Sequence, residues 1–251
     1  MASIFARLNL TPLFESSTYG SEYIKQLSSV TISQSAFNEW LFQDYIFVRA
    51  FAQFLAATIA SVPENETNLS FLTTALKGGF GVLEQELAIF EQKARQRGVE
   101  IPKLPKFSGS YNEELEINGA DIIAELKSTI PRFSKVNELY CSFLAIELGA
   151  QASVPFHTRL AVLWAAEVVY LTAFKYSLNT STFQAKADAS LKDFLEWWGG
   201  NTVFDEYVGT LGKAVEIVLD NHPESVDDVT AGVKRVLDLE VGFWNGALEK
   251  A

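Results

Sequence analysis

Three carboxylates occupy positions where an amphipathic helix ought to be apolar. In "FNEWLFQDYIFVRAF" the residues Phe37, Trp40, Leu41, Phe47, Val48, Phe51 and Leu55 fall at helical spacing on one stripe, and the position that completes it is Asp44. Glu167 takes the same place among Leu160, Leu163, Trp164, Tyr170, Leu171 and Phe174, and Glu240 among Val233, Val236, Leu237, Phe243, Trp244 and Leu248. A lone ionised carboxylate in a low-dielectric interior is strongly disfavoured, so each acid must be paired, hydrogen-bonded, protonated or open to a polar cavity. Inward basic residues look too few for pairing: Arg49 is expected off the apolar stripe of its helix, and Lys234 and Arg235 flank theirs. Taken singly, each acid is satisfied as readily by a tyrosine hydroxyl, a backbone group or a helix end. Taken together, and each within a helical turn of Trp, Tyr or Phe, they point to one shared pocket, in which aromatic faces hold a flat, nitrogen-rich ring and carboxylates read its donors.

Other chemistries find less support. The histidines, His157 and His222, have no second histidine three or four residues away and no cysteine pair, so no metal site is expected, whether zinc or carboxylate-bridged di-iron. "GGFG" at Gly78 to Gly81 lacks the Gly-Lys-Ser/Thr of a phosphate loop and lies inside a helical pattern, where a kink or close helix packing is the natural use. Cys141 is the single cysteine, and with no histidine near it in sequence it reads as a small core residue. A net charge of −11 leaves no clustered Lys and Arg to follow a polyanion, which excludes nucleic acid as a partner. No charged start leads into an apolar signal core, so a reducing cytoplasmic setting is expected. The longest apolar run, Leu160 to Phe174, is shorter than the ~20 residues a bilayer demands and carries Glu167, so no membrane span is expected.

The elements that must present the acids are helices. A chain of 251 residues, 48% hydrophobic, can bury a large core. Its dominant period is helical, with short polar or Pro/Gly breaks, which predicts an all-α chain and one domain over residues 1–251. After an irregular start, "SEYIKQLSS" gives a short helix. Hydroxyl caps between Thr31 and Ser35 introduce a helix from about Gln34 to Ser61, which Pro63 ends. Further helices are expected near Asn68 to Arg97, Glu114 to Ser128, Lys135 to Leu148, Thr158 to Tyr176, Ser181 to Trp198, Thr202 to Asp220 and Ser225 to Lys250.

These segments resemble a family. "FNEWLFQDYIFVRAF" is similar to the "F..WL.QDY.F...F" segment of the TenA/thiaminase II family, which has the haem-oxygenase-like helical fold. "YCSFL" resembles its aromatic-bearing helix, "LWAAEVVY" its central catalytic helix and "RVLDLEVGFWNGAL" its closing Glu-x-x-Phe-Trp helix, so the likeness runs from about residue 12 to the C-terminus. Most thiaminase II members carry a nucleophilic cysteine four residues before the tyrosine of the central helix. Here that position, before Tyr170, is Ala166, and Glu167 beside it resembles the plant-type branch in which a glutamate stands in for the thiol.

The resemblance implies a cofactor-independent hydrolase of thiamin-breakdown pyrimidines, acting on a formylaminopyrimidine or an aminopyrimidine in thiamin salvage. It implies that Asp44 binds the amino and ring-nitrogen edge of a small aminopyrimidine and that Tyr140 and Tyr170 box the ring. Phe47 stands at a family tyrosine position and Trp198 in place of another. Two carboxyl groups in one pocket can split their pKa values and share base and acid work, and Glu167 is expected to activate water while Glu240 protonates the leaving nitrogen, or the reverse. Homodimers or homotetramers are implied as well. The alternative is a pyrimidine-binding or stress-associated protein with little turnover; an oxygenase on the same fold is disfavoured by the two histidines.

Overall fold

The sequence "FNEWLFQDYIFVRAFAQFLAATIA" is apolar on more than one face, so the helix it forms has to be surrounded. In the computed structural model, which describes residues 2–64 and 67–249, that segment is α4 (Gln34–Ala60), and from Ala36 to Ile59 every residue except Asn38 is buried. The Ser33 hydroxyl accepts from the Ala36 N–H at 3.0 Å and starts the helix. In chain order the other helices are α1 (Ala2–Arg7), α2 (Thr11–Ser17), α3 (Glu22–Ser29), α5 (Ser70–Gln96), α6 (Tyr111–Leu115), α7 (Gly119–Thr129), α8 (Lys135–Ser142), α9 (Phe156–Asn179), α10 (Ser181–Lys186), α11 (Ala189–Gly199), α12 (Thr202–Asn221) and α13 (Val226–Glu249). No strand occurs among the described residues. The helix end expected at Lys250 lies outside the described residues.

The chain resolves into two compact units: residues up to Phe37 together with Leu160 onward, and Asn38–Arg159. In the first, α13 packs on α2 and α3, and α10 on α3. The irregular start expected from sequence is instead helical, because Phe5 stacks between Phe14 at 4.1 Å and Trp164 at 4.7 Å and gives α1 a buried anchor. Arg7 fastens the same helix by donating to the Leu219 carbonyl and to Asp220, both at 2.5 Å, at the end of α12. The α11 end lies hard against α9: a Cβ on Gly199 would stand 2.7 Å from the Phe174 carbonyl carbon and 2.8 Å from the Lys175 nitrogen. Only glycine permits that approach, and it seats the neighbouring Trp198.

In the second unit α7 and α8 pack together, and α8 continues into a π-helical turn, Phe143–Leu148, in which the Gly149 N–H reaches back five residues to the Leu144 carbonyl at 2.8 Å. Two helices expected to be continuous are split by side-chain caps. Asn118 accepts from the Ala120 N–H at 2.9 Å and separates α6 from α7; Asp188 accepts from the Leu191 N–H at 2.8 Å and separates α10 from α11. The "GGFG" segment forms neither a loop nor a close contact. It runs unbroken through α5, and a Cβ on Gly78 or Gly81 would meet nothing within 4 Å. At 24 residues α9 is longer than expected and is apolar enough to cross a bilayer, but 78% of its most apolar window is buried inside the protein, which makes it a core helix.

Arg49 corrects the expectation that it points away from the apolar stripe. It is 1% exposed and pairs with Glu114 of α6, itself fully buried, while Ser108 donates its hydroxyl to the other Glu114 oxygen at 3.1 Å. Because α4 has no solvent face, its one arginine had to bring a carboxylate inside. Removing one partner of such a pair leaves a bare charge in the core, so Arg49→Met should destabilise the protein by ~3–5 kcal/mol in chemical denaturation. Arg49→Met combined with Glu114→Gln should recover most of that loss; a double variant as unstable as the single one would refute this account.

Candidate active site

The residues expected to act on substrate divide between the two units. Glu167, Tyr170, Trp198 and Glu240 belong to the first, and Asp44, Phe47 and Tyr140 to the second. All lie on helices, as the spacing requires: Asp44 and Phe47 on α4, Tyr140 on α8, Glu167 and Tyr170 on α9, Trp198 on α11 and Glu240 on α13.

In the first unit these side chains gather around a connected set of rings. Tyr170 lies 5.2 Å from Trp244 and 5.7 Å from Phe174, and Phe174 in turn lies 5.9 Å from Trp198 and 6.3 Å from Trp244. Glu167 precedes Tyr170 by three residues on α9 and Glu240 precedes Trp244 by four on α13. Each glutamate therefore sits about one helical turn, roughly 4.5–6 Å along its axis, from the Tyr170–Trp244 contact that joins the two helices. Their environments differ. Glu240 is fully buried, whereas Glu167 and Tyr170 are partly exposed on a helix whose neighbouring positions, Ala166, Val168 and Val169, are closed off. Solvent thus reaches α9 at the face that carries the acid and the phenol. The register of α13 is fixed by Trp244, whose indole N–H donates to the Ser17 carbonyl at 3.0 Å and whose ring lies 5.2 Å from Tyr23.

Trp244 and Phe174, each four positions after Glu240 or Tyr170 and so on the same face, join this ring set from the core, where both are fully buried. The sequence stripes place both in the core, and the structure does the same.

In the second unit Phe47 and Tyr140 lie ring to ring at 4.7 Å, both buried, and Asp44 is buried one turn before Phe47 on the same helix. Asp44 is also close enough to influence Cys141. Burial, and after it the Asp44 charge, pushes the Cys141 thiol well above its ordinary range, while its S–H donates to Asn137 Oδ1 at 3.2 Å. A thiol held protonated in the core is a poor nucleophile, which agrees with reading Cys141 as a packing residue. Among the described residues no group of three or more His, Cys, Asp or Glu side chains is placed to hold a metal ion. A surface cavity of about 640 Å³ opens where α4 ends and α5 begins, beside Lys77 and Tyr111, and none of the expected site residues lines it.

Comparisons with known proteins bear on the sequence and the fold. The model of the TENA/THI-4/PQQC family matches residues 12–116. The chain is 26% identical over 216 residues to a protein of Glycine max named a probable bifunctional TENA-E protein, covering 86% of this chain and 80% of that one. The chain is thus similar to TenA proteins in sequence and in fold. It is also 24% identical to an uncharacterized protein of Schizosaccharomyces pombe over 99% of its own length and 98% of the relative's. The TenA homologue of Pyrococcus furiosus superposes with a TM-score of 0.74 at 19% identity, covering 98% of this chain and all of that one. A TenA family transcription regulator of Silicibacter superposes at 0.71 and 20% identity, over 99% and 96% of the two chains. The chain thus has the all-α, haem-oxygenase-like fold of these TenA homologues.

The state of the thiol yields a measurable outcome. Folded protein should resist a thiol reagent at pH 8 and react with it only on unfolding. Because the folded-state pKa is raised, the neutral thiol contributes stability that is complete below the ordinary value of 9.0 and declines as pH rises past it. Cys141→Ala should flatten that alkaline decline in a pH series of denaturation midpoints. Rapid labelling of the native protein at pH 8 would contradict the buried assignment.

Proposed function

We propose that this TenA-like protein is a cofactor-independent hydrolase of thiamin-breakdown pyrimidines in thiamin salvage, releasing formate from the formylaminomethyl form or ammonia from the aminomethyl form of 4-amino-2-methylpyrimidine. The observation that carries the reading is the placement of Glu167 and Glu240 in one unit, each a helical turn from the Tyr170–Trp244 contact, one open to solvent and the other buried. Hydrolysing a C–N bond needs a base for water and an acid for the departing nitrogen. The solvent-reached Glu167 suits the first task. The enclosed Glu240 suits the second, since burial favours the protonated form of a carboxyl group.

The family's thiol position is Ala166, and Glu167 follows it directly, which supports the branch of the family in which glutamate replaces cysteine. The relative named as a TENA-E protein is in keeping with this. Tyr170 and Trp198 then serve as ring walls beside the glutamates. Asp44, with Phe47 and Tyr140 near it, keeps the ring-reading role that the family resemblance implies, and charge-assisted hydrogen bonds of that kind are worth ~1.5–3 kcal/mol each. Homodimers or homotetramers remain part of this reading.

The same Ala166 favours a second reading, a pyrimidine-binding protein with little turnover. One assay separates them. Purified protein given either pyrimidine should release formate or ammonia, and Glu167→Gln and Glu240→Gln should each lower kcat by roughly 100-fold or more, as expected for loss of general acid–base catalysis, with far-ultraviolet circular dichroism unchanged. Tight binding without product would select the second reading, and wild-type rates in both variants would remove the glutamate mechanism. Intact thiamin should be turned over poorly, because without a thiol the two-step covalent route for displacing thiazolium is lost; thiamin consumption followed by chromatography checks this.

A further inference from the structure

Gln43 and Asn137 are buried polar residues that the catalytic reading leaves unused. The Asn137 amide, fully buried in α8, donates through Nδ2 to the Gln43 main-chain carbonyl at 2.7 Å and to Gln43 Oε1 at 3.1 Å, and its Oδ1 accepts from Cys141. Gln43 Oε1 also accepts from the Ser134 N–H at 3.2 Å, and its Nε2 donates to Glu39 Oε1 at 2.8 Å and to the Arg132 carbonyl at 2.7 Å. Arg132 completes the ring by donating to Glu39 Oε2 at 2.6 Å. The network thus ties α4 to α8 and to the segment that precedes it.

Its position along the chain gives it consequences. The Gln43 carbonyl belongs to the peptide unit that leads into Asp44, and in a regular helix it is also the acceptor for the Phe47 N–H. Asn137 stands three residues before Tyr140, one turn along α8. A single amide therefore joins the turn of α4 that carries Asp44 and Phe47 to the turn of α8 that carries Tyr140. Rotating α8 by one residue swings a side chain by about 100° and shifts it by about 1.5 Å, enough to undo the 4.7 Å ring contact. An apolar residue at 137 would still fill the core but would leave that register unset.

We propose that Asn137 is a positioning residue for ring recognition: its contact with the Gln43 carbonyl sets Tyr140 against Phe47 beside Asp44, and so governs substrate affinity and leaves the chemical step alone. This rests on the reading above, in which these three side chains take the pyrimidine.

The test compares Asn137→Ala and Asn137→Ser with Glu39→Gln, which breaks the same network at its far end. Two quantities are read: steady-state constants with 4-amino-5-aminomethyl-2-methylpyrimidine, and the Tyr140–Phe47 ring cross-peaks in protein labelled at tyrosine and phenylalanine. Asn137→Ala should raise KM about tenfold with kcat within about twofold, the signature of lost binding that is uniform between ground and transition states, and should weaken the cross-peaks. Asn137→Ser, which keeps one donor, should fall between it and the wild type. Glu39→Gln should lower Tm and leave KM and the cross-peaks alone. Unchanged KM and cross-peaks in folded Asn137 variants, or an equal effect of Glu39→Gln on both, would overturn the proposal; if Asn137→Ala does not fold, Asn137→Ser decides on the same readouts. Should wild-type protein neither bind nor turn over the pyrimidine, the functional reading fails, while the ring cross-peaks still decide the role of Asn137.

Discussion

A helix with no face to the solvent cannot hide a polar group by turning it outward. α4 is such a helix, and much of the second unit follows from that constraint. Several polar side chains on its buried length are met from other elements: Arg49 by Glu114 of α6, Gln43 by Asn137 of α8 and by the Arg132 carbonyl, Glu39 by Arg132. Hydrogen bonds of this kind add little net stability when made and are expensive when left unmade. Their main effect is on register, since a shifted helix would strand several of them at once. Asp44 is carried on this scaffold, so the chemistry that holds it in place is the chemistry of satisfying its neighbours.

The first unit solves a different problem, which is to keep one acid wet and another dry. α9 is closed from Thr158 to Ala166 and then opens at Glu167 and Tyr170, while α13 buries Glu240 completely. Aromatic contacts from Tyr170 through Trp244 and Phe174 to Trp198 join the helices between them, with Gly199 allowing α11 to approach α9 closely enough for Trp198 to join. Rings suit this role because they fill space with large apolar faces, and the Trp244 N–H is already engaged by the Ser17 carbonyl.

The all-helical class and most helix spans were legible from apolar periodicity, and the buried setting of Asp44 and Glu240 from the gap each leaves in a stripe. What was lost had physical causes. Stripe analysis presumes a solvent side, so it sent Arg49 outward on a helix that has none. It also ran through Asn118 and Asp188, whose short side chains cap new helices in the midst of an otherwise continuous pattern. The N-terminal helices were invisible because α1 is too short to show a period and owes its order to Phe5 lying against Trp164, a contact between residues far apart in sequence.

The π-helical turn after α8 bears on how this chain should be matched to its kin. A turn of that kind holds one more residue than an α-helical turn, so the side chains of Phe143–Leu148 are rotated out of the phase set by α8. With Gly119 pressed so near the Ala145 carbonyl that a Cβ would lie 2.1 Å from it, the bulge is locked in place by its neighbour. An ungapped alignment to a homologue whose helix stays α-helical there would pair the wrong faces within Phe143–Leu148, so equivalences in that stretch hold only when a single-residue gap is placed within it.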